Sequence, residues 1–166
     1  LSLTSGRDMR KGLGVPINNV TFMPYPDGPD GKTDSLKMIE NALLDDHSGI
    51  DKPAAIFLET AQAEGGIYIA DTGWLKALVE LCKQQDILLV VDDVQVGCGR
   101  TGEFFSFERA GIVPDMISLS KSISGFGMPM ALLLLRPGLD VWSPGEHNGT
   151  FRGHQLSILG ASAALD

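Results

Sequence analysis

Three nearly continuous apolar runs constrain this chain most: residues 54–58, 87–91 and 116–120. Each stops at charged side chains, respectively Glu59, Asp92 with Asp93, and Lys121. A strand wetted on one face alternates apolar and polar residues, so a run without alternation needs cover on both faces. Between the first two runs, Leu75, Leu78, Val79 and Cys82 recur at helical spacing. Strands alternating with helices predict an α/β protein, a three-layer α/β/α arrangement around a mainly parallel sheet. Such sheets bind ligands outside the carboxyl ends of their strands. That edge is where this chain collects its acids and its lysine.

The remaining segments fit the same plan. Residues 20–23 read as a short strand, followed by a turn-rich stretch at 24–31 dense in Pro, Asp and Gly. Thr33 or Asp34 can cap a helix carrying Leu36, Ile39 and Leu43, with Gly49 marking its end. Residues 60–66 read as a loop, and Asp71 or Thr72 caps the next helix. Residues 104–110 form a short helix closed by Gly111, residues 130–135 a further strand, and the final helix begins near Gly153. The chain starts without methionine and stops in a helical pattern at residues 161–166, which reads as an internal piece of a longer protein.

Composition excludes some partners. With 21 acidic against 13 basic residues the formal charge is −8, the wrong sign for gripping a nucleic-acid backbone or an anionic membrane. The apolar stretch at 128–135 falls far short of the ~20 residues a membrane span needs. Two cysteines, Cys82 and Cys98, without CxxC spacing give no disulfide framework and fit a reducing, cytoplasmic compartment. Cys82 reads as a small buried hydrophobe. Cys98, in a glycine-rich loop, has the same ordinary reading beside that of a reactive thiol. His47, His147 and His154 show no metal-ligand spacing.

The strand ends carry the chemistry. Taken singly, an Asp after a strand is a turn or helix cap, and a Lys there is a solvated charge. Together, an amine and a carboxylate at the tips of two buried strands match what pyridoxal phosphate requires: a lysine to hold its aldehyde and an acid to keep its ring nitrogen protonated. Alternation sends Asp92 and Asp93 to opposite sides, so one of them faces such a ring. The loop Ser122-Ile-Ser-Gly-Phe-Gly127 is small enough for a ring to approach the backbone. Gly97, Gly99 and Gly102 satisfy the GxGxxG spacing, with Asp115 not far from the distance of the ribose acid. That leaves a nucleotide-binding module as an alternative, beside a plain connecting loop. The segment Glu59-Thr-Ala-Gln-Ala-Glu-Gly-Gly66 offers two acids that are either solvated or, near a cofactor, able to bind an arginine. Asn148-Gly-Thr-Phe-Arg-Gly153 leads into a helix start, which favours phosphate.

Four ordered motifs resemble the class III pyridoxal-phosphate aminotransferases. Val90-Val-Asp-Asp-Val-Gln-Val-Gly-Cys-Gly-Arg-Thr-Gly102 is similar to their Asp-Glu-Val-Gln…Gly-Arg-Thr-Gly signature, and Ser120-Lys-Ser-Ile-Ser-Gly-Phe-Gly-Met-Pro129 to their lysine motif. The 59–66 loop and the Thr150-Phe-Arg-Gly153 segment match two more. The resemblance covers almost the whole chain. It implies a fold-type I transferase, with residues 1–166 forming the central part of the cofactor-binding large domain and the N-terminal segment and small C-terminal domain absent. It implies that Lys121 holds the cofactor, Asp92 pairs with the ring nitrogen, Val94 packs on the ring and Gln95 bonds its hydroxyl. Thr150 would reach the phosphate in a neighbouring subunit, implying a homodimer or larger homo-oligomer. Glu64 would pair with and release an arginine as amino acid and 2-oxo acid substrates alternate, and Glu59 would support the Asp92 side. The phrases at 14–20, 118–125 and 144–153 resemble a branch that moves an amino group from glutamate to aspartate 4-semialdehyde. Relatives using ornithine, acetylornithine or 4-aminobutyrate, and an inactive fragment, are the alternatives. Departures from the family pattern are Asp93 for Glu, Thr60 for Pro, and His154-Gln155.

Overall fold

The structure is a computed structural model that describes residues 2–14, 18–26 and 34–166. It divides into two compact units, residues 1–52 and 53–166. In the first, a single turn of helix, α1 (Arg7–Arg10), carries Arg10, whose guanidinium lies 4.5 Å from the centre of the Phe22 ring. Residues 20–23 form no strand, a correction to the expected β-segment. The apolar side chain of Phe22 that suggested a strand is used against Arg10 instead. The expected turn falls partly at residues 27–31, and the Thr33 cap also lies outside the described residues.

Helix α2 (Ser35–Leu44) is capped by Asp34, whose side chain accepts from the Lys37 N–H at 3.0 Å, and it buries Ile39. It stops before Gly49. Asp45 bonds the His47 N–H through its own carboxylate at 2.9 Å, and an Asx turn of this kind competes with another helical turn.

The second unit holds a four-stranded sheet in the order β1-β4-β5-β6. β1 (Ala55–Leu58), β4 (Leu88–Asp92) and β5 (Met116–Leu119) run parallel, and β6 (Leu132–Leu135) returns antiparallel to β5. The mostly parallel sheet with helices expected from the sequence is therefore present. Full burial on both faces holds for β4, where Leu89, Val90 and Val91 are buried. It fails at the edges, where Phe57 and Leu133 are about half exposed because β1 and β6 each have one neighbouring strand.

The segment read as a loop after β1 contains a small hairpin instead. β2 (Ala61–Gln62) pairs antiparallel with β3 (Tyr68–Ile69). Gly66 sits at the tip with φ +125°, and a Cβ there would lie 2.7 Å from the Tyr68 ring. The Gly65-Gly66 pair ahead of Tyr68 was the available signal for this turn.

Helix α3 (Thr72–Gln85) crosses from this hairpin to β4. Asp71 caps it, accepting from Gly73 and Trp74 N–H groups at 2.7 and 3.1 Å. Its face of Leu75, Leu78, Val79 and Cys82 is buried as the spacing predicted. Burying Leu75 and Leu78 stabilises the unit by about 1.5–3 kcal/mol each. After β4 the chain forms turns and one 3-10 turn (Glu108–Ala110), closed by Gly111 at φ +63°. Helix α4 (Gln155–Leu165) ends the unit, capped by His154 two residues beyond the expected start.

Candidate functional site

Parallel pairing brings three strand ends to one edge. Leu58 is level with Val91, so Glu59 follows beside Asp92, and Asp92 is level with Ser118. The Asp93 N–H donates to the Ser118 carbonyl at 2.9 Å, tying the exit of β4 to β5. Two residues after Ser118, the Ser120 hydroxyl donates to the Met130 carbonyl at 2.7 Å and fixes the exit of β5. Lys121 is next.

Lys121 is exposed and adopts φ +50°, a left-handed conformation that costs a non-glycine residue about 1–2 kcal/mol. It opens a 3-10 turn (Lys121–Ser124), and Ser124 donates its hydroxyl back to the Lys121 carbonyl at 3.1 Å. Helix α4 presses on this turn. Gly125 has φ +71°, and a Cβ there would stand 2.8 Å from both the Gly160 carbonyl oxygen and the Ala164 Cβ. The lysine is thus presented by backbone that its neighbours hold in place.

Glu59 records the electrostatics of this edge. Burial pushes its carboxyl above the usual range, and the negative charge of Asp92 pushes it further. The Ala63 N–H and the Lys121 ammonium oppose the rise, while Glu64 adds to it. Four predicted site residues, Glu59, Glu64, Asp92 and Lys121, therefore share one electrostatic neighbourhood.

The two adjacent aspartates have opposite surroundings, as strand alternation predicted. Asp92 is exposed, and its Oδ1 accepts the Val94 N–H at 3.0 Å. Asp93 is 1 % exposed and accepts the Ser106 N–H at 3.0 Å and the Ser106 hydroxyl. Burial, the larger effect, raises the Asp93 carboxyl above its ordinary value, and the Ser106 bonds pull it partly back. Asp92 is the acid open to a ligand.

Val94 and Gln95 follow, both half-buried. Gln95 Oε1 is buried without a hydrogen-bond partner, a costly state for a polar atom unless a ligand donor completes it. An exposed lysine, an open carboxylate and this unpaired acceptor on successive strand exits form a donor set that fits a pyridine ring bearing an aldehyde, a basic nitrogen and a hydroxyl. Thr150 is not brought to this cluster. It lies exposed in the turns that precede α4.

The glycine-rich loop at 97–102 does not suit a dinucleotide. It follows the second parallel strand of this sheet, and the chain continues from it into turns rather than opening a helix that could receive a pyrophosphate. Gly97 has a packing role: a Cβ there would meet the Asp93 carbonyl at 2.7 Å. The Cys98 thiol is raised, chiefly by burial and then by Asp93, which disfavours the reactive thiolate. Cys82, buried under the sheet, is pushed up to about 11, first by burial. Among the described residues no cluster of His, Cys, Asp and Glu is arranged to hold a metal, and no helix is long and apolar enough to cross a membrane.

The signals missed in the sequence were Thr60 and Ser106. Both are buried, and their hydroxyl oxygens lie 2.5 Å apart.

Comparison with known proteins gives a consistent result. The family model described as aminotransferase class-III matches residues 1–166. A diaminobutyrate–2-oxoglutarate transaminase of Streptomyces avermitilis is 54% identical over 165 residues, covering 99% of this chain and 39% of that protein. One from Bordetella parapertussis is 55% identical over 168 residues, covering 100% of this chain and 38% of its own length. The chain thus spans about two fifths of these relatives. Among solved structures, a transaminase from ancestral reconstruction superposes with TM-score 0.82 at 26% identity, over 99% of this chain and 39% of that one. The ornithine aminotransferase of Toxoplasma gondii, described with partial occupancy of PLP at its active site, gives TM-score 0.65 at 38% identity, over 68% and 27%.

Proposed function

This chain belongs to the class III aminotransferases, and we propose that it is the central part of the cofactor-binding large domain of a pyridoxal-phosphate enzyme that makes 2,4-diaminobutyrate. Glutamate is the amino donor and leaves as 2-oxoglutarate. Aspartate 4-semialdehyde is the acceptor, at its terminal carbon. Relatives at 52–55% identity carrying the diaminobutyrate–2-oxoglutarate name support this choice over ornithine, acetylornithine or 4-aminobutyrate. We assign the enzyme to ectoine biosynthesis in the cytoplasm, as a homodimer or larger homo-oligomer.

Bound pyridoxal phosphate supplies a sink for the electrons released when the substrate Cα–H bond breaks. The chain's own groups do the rest. Lys121 Nζ would hold the cofactor through its aldehyde carbon and, as a free amine, would move the proton of the substrate Cα. Asp92 would keep the ring nitrogen protonated by charge complementarity. Val94 would pack against the ring, and Gln95 would bond its hydroxyl. Thr150 would reach the phosphate in a neighbouring subunit. Glu64 pairs with and releases an arginine as the two substrates alternate, and Glu59 backs the Asp92 side.

The observation that carries this reading is the parallel register that sets Glu59 beside Asp92, and Asp92 level with Ser118, so that β5 delivers Lys121 to the same sheet edge. Lys121→Ala in the full-length enzyme tests it. Loss of the visible absorbance of lysine-bound cofactor is expected; an unchanged absorbance band overturns the assignment. Amine-substrate assays with 2,4-diaminobutyrate, ornithine, acetylornithine and 4-aminobutyrate separate the substrate readings.

A further inference from the structure

We propose that Thr60 and Ser106 are positioning residues, a two-hydroxyl chain ending on Asp93 that fixes the backbone from which Asp92 and Gln95 reach the cofactor. The inference rests on the cofactor reading above and extends it to two residues that do not touch the ring.

Hydrogen accounting gives the chain its direction. The Asp93 carboxylate can only accept, and it receives both the Ser106 N–H and the Ser106 hydroxyl proton. With that proton committed, Ser106 Oγ can only accept at its contact with Thr60, so the Thr60 hydroxyl is the donor across 2.5 Å. The order is Thr60 to Ser106 to Asp93. The three side chains are 0–1 % exposed, so water cannot replace a lost member.

This chain crosses 46 residues of sequence between Thr60 and Ser106, and 13 between Asp93 and Ser106. It therefore joins the exit of β1, the exit of β4 and the return of the 94–105 loop at one point. Asp93 also accepts the Gly97 N–H on its carbonyl at 2.9 Å, and Gly97 is packed too closely on Asp93 to admit a Cβ. Both ends of the loop bearing Val94 and Gln95 are thus fastened to Asp93. Arg109 secures the far side by donating to the Ala70 carbonyl at 2.7 Å and the Thr60 carbonyl at 3.3 Å. Asp92, the residue before Asp93 on the opposite side of the strand, cannot shift its carboxylate by backbone motion without breaking this set. Supporting groups of this kind hold a reacting constellation in its productive geometry.

The test uses full-length enzyme with Thr60→Val, which keeps the shape and removes the donor, and Thr60→Ser, which keeps the donor. Cofactor affinity is read by reconstitution of apoenzyme with pyridoxal phosphate, and ring environment by the pH midpoint of the cofactor absorbance. We expect Thr60→Val to weaken affinity by about tenfold and to displace the midpoint, with Thr60→Ser restoring both. A lower melting temperature with unchanged affinity and midpoint overturns the proposal. Should Thr60→Val not fold, Ser106→Ala is read in the same way. Asp92→Asn is the control. If it leaves the midpoint unmoved, the cofactor reading itself fails; if it moves the midpoint and neither hydroxyl variant does, only the positioning role fails.

Discussion

The strand-end edge carries three of the four family-like motifs and the segment between β6 and α4 carries the fourth, and the two regions are built differently. At the edge, Glu59, Asp92 and Lys121 follow strands whose register is locked across the sheet. In the other segment Thr150 is exposed, and the bonds around it join near neighbours in sequence. Glu146 donates its N–H to the Ser143 carbonyl at 3.1 Å and accepts the Ser143 N–H at 2.7 Å, and Trp142 stacks on His147 at 5.0 Å. Phe151 beside Thr150 is 90 % exposed. Long-range pairing can set a side chain within one chain, whereas local turns leave a residue's working position to whatever packs on it. The proposed phosphate contact of Thr150 in a neighbouring subunit agrees with that difference.

Substitutions on the two sides should break this contrast in a graded order. Lys121→Ala has the largest expected effect, a loss of roughly 10²–10⁴-fold in turnover measured under single-turnover conditions, since on the proposed reading Lys121 moves the substrate proton. Gly125→Ala comes next. The added methyl would stand 2.8 Å from the Gly160 carbonyl oxygen at a left-handed φ, and should destabilise the enzyme by about 1–3 kcal/mol in a urea titration. Relief by shortening the other side is not available there, because Gly160 already lacks a side chain. Thr150→Ala should weaken cofactor affinity by about tenfold while leaving the stability of the apoenzyme in urea within about 0.5 kcal/mol of the parent, because it removes no buried contact within the chain. An equal loss of stability would place Thr150 on the locked side of the comparison.

Glu59→Gln gives the smallest effect and a defined sign. The folded carboxyl is raised by burial and by Asp92, so the folded state binds its proton more tightly than the unfolded state. Its contribution to stability therefore falls as pH rises from the unfolded carboxylate value through the raised folded one. The variant lacks this titration. Its stability relative to the parent should increase across that window and level off above it, as followed by urea midpoints at successive pH values. A difference independent of pH would show that Glu59 does not titrate in the folded range.

Much of this was legible in the residues. The nearly continuous apolar runs marked the parallel strands, and the reason holds fully for the central β4, which is covered on both faces and buries Leu89, Val90 and Val91. Asp34 and Asp71 were readable as caps, because each side chain meets an N–H two or three residues on. The edges of the elements were less accessible. Residues 20–23 have strand-forming side chains but no ladder partner, and α2 stops at an Asx turn rather than at the glycine. The hairpin β2–β3 was hidden in a loop-like composition.

The sequence by itself determined that an acid, an acid pair and a lysine would stand at the ends of buried strands, since hydrophobic periodicity is a local property of the chain. It also determined that Asp92 and Asp93 would part to opposite sides. Only the tertiary structure decided which of them is open and which is enclosed, and that Thr60 and Ser106 meet beneath them. The crossover through α3 and the return of the 94–105 loop bring those two hydroxyls together from 46 residues apart. No short-range pattern encodes that contact, because it depends on how the strands are ordered and covered.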